Sequence, residues 1–124
     1  MLFQKITRTI NIWSFEQKKT SLKYIESNYK NCSLPDVAEK FGYNANYLSN
    51  YLKEKTGKSF IEIKISQQMA ESVFLLINSD LTVNEIAETV GCNNITYFYK
   101  KFHETYGITP REYRLNYLQI QAQM

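Results

Sequence analysis

The chain has 124 residues, 44% hydrophobic and 22% charged, with fifteen Lys and Arg against twelve Asp and Glu for a net charge of +3. That length suits one ordinary domain or two very small ones sharing an element, and the composition excludes a disordered chain. Two cysteines, one histidine, four glycines and two prolines, with no CxxC and no HExxH, exclude a dense disulfide framework and a structural zinc site; scarce β-type alternation points to an all-α fold.

The charge is unevenly spread. Residues 1–31 carry six basic and two acidic groups, residues 32–58 four and three, residues 59–80 one and three, and residues 81–124 four of each. This mild basicity is compatible with a polyanionic partner without demanding one. No signal peptide precedes Cys32 and Cys92, so both read as reduced thiols of a cytoplasmic protein.

Residues 1–14 place Leu2, Ile6, Ile10 and Trp13 at near-helical spacing. Ile6, Ile10 and Ile12 interleaved with Thr are equally strand-like, and both readings stay open. The segment reads as the remnant of a linker or sensor domain. Phe15, Leu22, Ile25 and Tyr29 then form the stripe of an amphipathic helix ending near Asn31, with Lys18, Lys19, Lys23 and Lys30 on its other face.

Next come two segments that overlay. Ser33 to Ile63 reads SLPDVAEKFGYNANYLSNYLKEKTGKSFIEI, and Thr82 to Tyr113 reads TVNEIAETVGCNNITYFYKKFHETYGITPREY. Ser33, Asp36, Val37, Ala38 and Gly42 match Thr82, Glu85, Ile86, Ala87 and Gly91. After one inserted residue, Tyr47, Leu48, Leu52, Glu54, Gly57, Ser59 and Glu62 match Tyr97, Phe98, Phe102, Glu104, Gly107, Thr109 and Glu112. All four glycines fall at equivalent positions, each suited to end a helix at positive φ. The chain therefore reads as two copies of helix–turn–helix, each followed by a capped helix, with subdomains over residues 15–58 and 79–124.

Between them lies Ser59–Asn78, SFIEIKISQQMAESVFLLIN, without glycine or proline and opening on the S-x-x-E of a capping box. It reads as a linker helix over residues 59–78, about 30 Å long at 1.5 Å per residue. Apolar residues on several sides call for several neighbours, and Lys64, Ser66, Gln67, Gln68 and Glu71 exclude a membrane span.

In each copy the longer helix has two faces. Leu48 and Leu52 pack on Val37, Ala38 and Phe41, leaving Asn46, Ser49, Asn50 and Lys53 outside; in the second copy the matching outer face is Thr96, Tyr99, Lys100 and His103, opposite Phe98 and Phe102. A lone polar stripe is usually a solvated face. Two stripes in the same register favour a shared task, and the second helix of such a motif usually supplies base contacts in the DNA major groove. Successive grooves on one DNA face lie about 34 Å apart, commensurate with the linker.

From about Leu22 to Tyr117 the chain resembles the C-terminal DNA-binding region of the AraC/XylS family of bacterial transcription regulators. The resemblance is carried by Ala87-x-x-x-Gly91, six residues, Phe98-x-x-x-Phe102, then Gly107-Ile108-Thr109-Pro110 and Glu112-Tyr113-Arg114. The first copy gives the companion form, Gly42-Tyr43-Asn44-Ala45-Asn46-Tyr47-Leu48-Ser49 and Thr56-Gly57-Lys58-Ser59-Phe60. It implies two helix–turn–helix subdomains on a linker helix and a sequence-specific regulator, usually an activator. It also implies double-stranded DNA and RNA polymerase as partners, with an effector or dimerisation domain outside this chain. Base reading falls on Asn46, Ser49 and Asn50 in the first recognition helix and on Thr96, Tyr99 and Lys100 in the second. Lys53, Lys58, Lys101, Tyr47, Tyr97 and His103 are phosphate candidates, although core packing is weighed as the commoner use of the two tyrosines.

The chain departs from the family pattern twice. Ser66 stands where the linker helix usually has an arginine, four residues before Ala70, and neither recognition helix contains arginine. The second departure predicts weak guanine reading and an A·T-rich site dependent on backbone contacts. No phosphate-binding glycine loop, nucleophile with a histidine base or paired carboxylates appear, so no enzyme, cofactor or metal is expected. The competing reading is a helix–turn–helix protein-interaction module that modulates other regulators without specific DNA binding.

Overall fold

A computed structural model of the chain describes residues 20–123. The readings of residues 1–14, Phe15, Lys18 and Lys19 lie outside them. Among the described residues there are seven helices and no strand. They are α1 (helical over residues 20–28), α2 (Leu34–Phe41), α3 (Ala45–Thr56), α4 (Phe60–Asn78), α5 (Val83–Thr89), α6 (Ile95–Tyr106) and α7 (Pro110–Gln123). The fold is all-α.

The helix boundaries follow local chemistry. Ser33 accepts a hydrogen bond from the Asp36 backbone N–H at 3.3 Å, and Thr82 accepts from that of Glu85 at 3.1 Å. Ser59 and Thr109 do the same for Glu62 and Glu112, at 3.2 and 3.1 Å. Each hydroxyl satisfies a donor that the first turn of a helix leaves unpaired. Gly42 ends α2 at φ +74° and Gly57 ends α3 at the same angle. This left-handed conformation costs an ordinary residue about 1–2 kcal/mol. Gly107 ends α6 at φ +77°, and Gly91, one residue past the Val90 cap of α5, lies at φ +82°. α1 stops at residue 28 with a turn over 29–31, slightly short of the expected end at Asn31.

The chain divides into two compact units, Met1–Lys64 and Ile65–Met124. In unit 1 the core consists of Ile25, Cys32, Val37, Ala38, Leu48, Leu52, Phe60 and Ile63, with half-buried Leu22, Leu34 and Phe41 packed against it. In unit 2 it consists of Met69, Leu76, Ile86, Ala87, Val90, Cys92, Phe98 and Phe102, joined by Ile65, Val73 and Tyr113. Full burial of each large apolar side chain contributes about 1.5–3 kcal/mol. The division falls inside α4, so the first turn of that helix serves one core and its later turns serve the other.

Ser66, the departure noted on α4, is half-buried, and Ala70 is exposed. The buried polar side chains of the helix are Gln68 and Ser72. Gln68 Nε2 donates to the Val90 carbonyl at 3.3 Å, and Ser72 Oγ donates to the Gln68 carbonyl at 2.7 Å. Gln68 thus ties α4 to the end of α5. At the far end of α4, Arg114 donates from Nε to the Leu76 carbonyl at 3.0 Å and from Nη2 to that of Ser79 at 3.3 Å, satisfying acceptors that a helix C-terminus leaves open. Cys32 and Cys92 are both free and buried. Burial pushes the Cys32 thiol above its ordinary value against the opposing pull of Lys64, which keeps it protonated and suits a small core residue.

Candidate nucleic-acid interface

The helix pair of unit 1 is locked at its turn. Gly42 permits the chain to reverse, and the Tyr43 N–H then donates to the Ala38 carbonyl at 2.7 Å. Ala38 is 2% exposed and carries only a methyl group, so α2 and α3 can approach closely. The N-cap of α3 is Asn44, whose Oδ1 accepts the Asn46 N–H at 2.8 Å. Leu48 and Leu52 are fully buried and fix the rotation of α3 about its axis. That rotation puts Asn46, Asn50 and Lys53 in solvent, at i, i+4 and i+7 on one face. Ser49, expected beside them, is half-buried at the edge of that face and lines a shallow groove with Cys32, Leu34 and Phe60. Lys58 is exposed beyond the helix end, where its N–H donates to Thr56 Oγ1 at 3.1 Å.

Unit 2 repeats this frame. The Cys92 N–H donates to the Ala87 carbonyl at 2.8 Å, and Asn94 Oδ1 caps α6 by accepting the Tyr97 N–H at 3.1 Å. Phe98 and Phe102 are fully buried. Thr96, Tyr99, Lys100 and His103 are exposed, the same register as in α3. The Tyr99 ring meets the edge of Phe98 with centroids 6.3 Å apart, so its hydroxyl is carried on a braced ring.

One expectation needs correction, and another gains a competitor. First, core packing is the commoner use of a tyrosine at such a position, yet Tyr47 and Tyr97 are 46% and 39% exposed. Each lies one position before a fully buried residue, Leu48 or Phe98, and a 100° rotation per residue carries it off the core face. Tyr47 leans on Tyr43 with ring centroids 5.7 Å apart, and Tyr97 lies 5.5 Å below the Lys101 ammonium. Both therefore belong to the outer surface at the first turn of a recognition helix. Second, Lys101 is already engaged: its Nζ lies 3.1 Å from Glu104 Oε2, and that hydrogen bond holds the ammonium above its ordinary pKa. A phosphate at Lys101 has to compete with this carboxylate.

The Asn44 and Asn94 caps were missed, although asparagine before a helix is a recognisable start signal. Lys55 and Arg111 are further exposed cations. Among the described residues no cluster of three metal-ligating side chains forms, and no helix is long and apolar enough to cross a membrane.

A family model described as a helix-turn-helix domain matches residues 37–116. The regulatory protein PocR of Salmonella typhimurium is 33% identical over 97 residues, covering 77% of this chain and 32% of PocR. The chain thus spans about a third of that curated relative. Among solved structures, the C-terminal domain of AraT, a response regulator from Geobacillus stearothermophilus, superposes with a TM-score of 0.74 at 30% identity, covering 81% of this chain and 84% of that one. The DNA-binding domain of AdpA, solved in complex with a target DNA, gives a TM-score of 0.77 over 86% of this chain and 97% of that one. At 18% identity it shows a shared fold.

Proposed function

This chain belongs to the AraC/XylS family of helix-turn-helix domains, and on that footing we propose that it is a sequence-specific DNA-binding transcription regulator of the activating kind. One observation carries the reading. Both units expose polar, hydrogen-bonding side chains in the same register of the helix after the turn, Asn46, Asn50 and Lys53 in one and Thr96, Lys100 and His103 in the other. A solvated face has no need to repeat its register; a helix that must enter a groove does.

In this proposal α3 and α6 enter successive major grooves. Asn46, Asn50 and, from the edge of its face, Ser49 read bases from α3, while Thr96, Tyr99 and Lys100 read from α6. The two asparagines suit bidentate contact with adenine, and Lys100 reaches guanine or a phosphate. Lys53, Lys58, Lys101 and His103 contact phosphates, as do the outward hydroxyls of Tyr47 and Tyr97. RNA polymerase is the proposed second partner, the cytoplasm the proposed compartment, and no catalysis is assigned.

Selection of sites from a random DNA pool, followed by gel shifts at two salt concentrations, tests the reading. A specific duplex whose affinity falls with salt supports it. The expected consensus is A·T-rich, because no arginine lies on either recognition helix to read guanine bidentately. A G·C-dominated consensus sinks the base assignments, and recovery of no duplex at all supports the protein-interaction module instead.

A further inference from the structure

We infer that the two units divide the work on DNA: unit 1 supplies most of the charge-dependent grip, and unit 2 reads with largely uncharged side chains. The inference rests on the DNA-binding reading above. It comes from laying the copies over each other by charge.

The acids recur. Asp36, Glu39, Glu54 and Glu62 stand where the second copy has Glu85, Glu88, Glu104 and Glu112. The cations do not. Lys40, Lys53, Lys55 and Lys58 stand where the second copy has Thr89, His103, Thr105 and Ile108. In unit 1, Lys53 and Lys55 are exposed on the last turn of α3, and Lys58 is exposed in the turn beyond Gly57. Three exposed lysines therefore lie at one end of that recognition helix. The matching end of α6 has His103, Thr105 and half-buried Ile108, and no fixed positive charge.

Two of the four cations of unit 2 are occupied. Lys101 pairs with Glu104. Arg114, the counterpart of Lys64, gives its guanidinium to the carbonyls of Leu76 and Ser79. Among the described residues of unit 2, Lys100 and Arg111 are the cations left without an ion pair or hydrogen bond. The whole sequence leans the same way: unit 1 holds eleven basic and six acidic residues, and unit 2 holds four and six.

Each phosphate neutralised by a lysine or arginine releases condensed counterions, and the logarithm of affinity then falls with the logarithm of salt by about 0.9 per contact. The division of labour is therefore a statement about which unit owns the slope. The test is fluorescence anisotropy of the full chain on a labelled duplex carrying the site recovered by pool selection, measured across a salt series. Three proteins are compared: the wild type, Lys53→Ala/Lys55→Ala/Lys58→Ala, and Lys100→Ala/Lys101→Ala/Arg111→Ala. Circular dichroism checks that each variant stays folded.

The unit 1 triple is expected to flatten the slope by about 2 to 3 and the unit 2 triple by about 1 or less. Loss of all binding by the unit 1 triple, with the unit 2 triple still bound at low salt, also upholds the division. Equal flattening, or greater flattening by the unit 2 triple, overturns it while leaving DNA binding intact. A wild-type chain that binds no duplex takes down the DNA-binding reading and the division with it.

Discussion

The turn of the first helix pair closes with the Tyr43 N–H on the Ala38 carbonyl at 2.7 Å, and that of the second with the Cys92 N–H on the Ala87 carbonyl at 2.8 Å. Around these matched frames the core side chains and most of the cations differ. Unit 1 fills the space beneath its recognition helix with Leu48 and Leu52, whereas unit 2 uses Phe98 and Phe102, with Phe102 in ring contact with Tyr106 and Tyr113 at 4.7 and 5.9 Å. Burial, with a further contribution from Tyr113, pushes the Tyr106 hydroxyl above its ordinary pKa, as expected of a ring used for packing. The comparison separates two kinds of constraint. A backbone reversal accepts few residue types, so the small residue, the glycine and the cap recur. A core accepts any side chains of suitable volume and shape, and a surface accepts nearly any charge.

The largest expected effect pits the two cores against each other. Phe102→Ala should cost about 3–5 kcal/mol and Leu52→Ala about 2–5, with the phenylalanine at the upper end because it also loses ring–ring contacts. Urea unfolding of both variants measures this, and a cheaper Phe102→Ala would mean that the aromatic cluster repacks around the hole. On the outer surface, Asn50→Ala should weaken specific binding by about 1–3 kcal/mol and relax one base position. A variant that keeps both its affinity and its consensus places the reading face elsewhere on α3.

Gln68→Leu probes a tie that unit 2 makes from α4. It leaves the Val90 carbonyl without that donor and should cost about 1–3 kcal/mol; thermal melts that match the wild type would show that water or another donor replaces the amide. The smallest effect tests the sameness of the frames. Gly57→Ala and Gly107→Ala should each cost about 1–2 kcal/mol, and by similar amounts. Both glycines have nearly the same φ, and an added Cβ meets no atom within 4 Å at either, so backbone strain is the whole penalty. Strongly unequal losses in denaturation would break the equivalence of the two turns.

Residues 33–63 and 82–113 determined the helix pairs by themselves, because caps, glycines and apolar spacing act over three or four residues and need no distant partner. Ser33, Ser59, Thr82 and Thr109 announced four helix starts from a hydroxyl and an acid three positions on, and each hydroxyl accepts the backbone N–H of that acidic residue. The outer faces of α3 and α6 followed from the same periodicity. What only the tertiary structure decided were the angles and partners that no local rule carries. Tyr47 and Tyr97 turned outward because Leu48 and Phe98 had already taken the core face. Ser49 sank to the edge of its face beside Cys32, Leu34 and Phe60. Gln68 reached a carbonyl 22 residues away. Burial of a side chain is set by which helices surround it, and that is a property of the packed unit rather than of the stretch of chain on which the side chain lies.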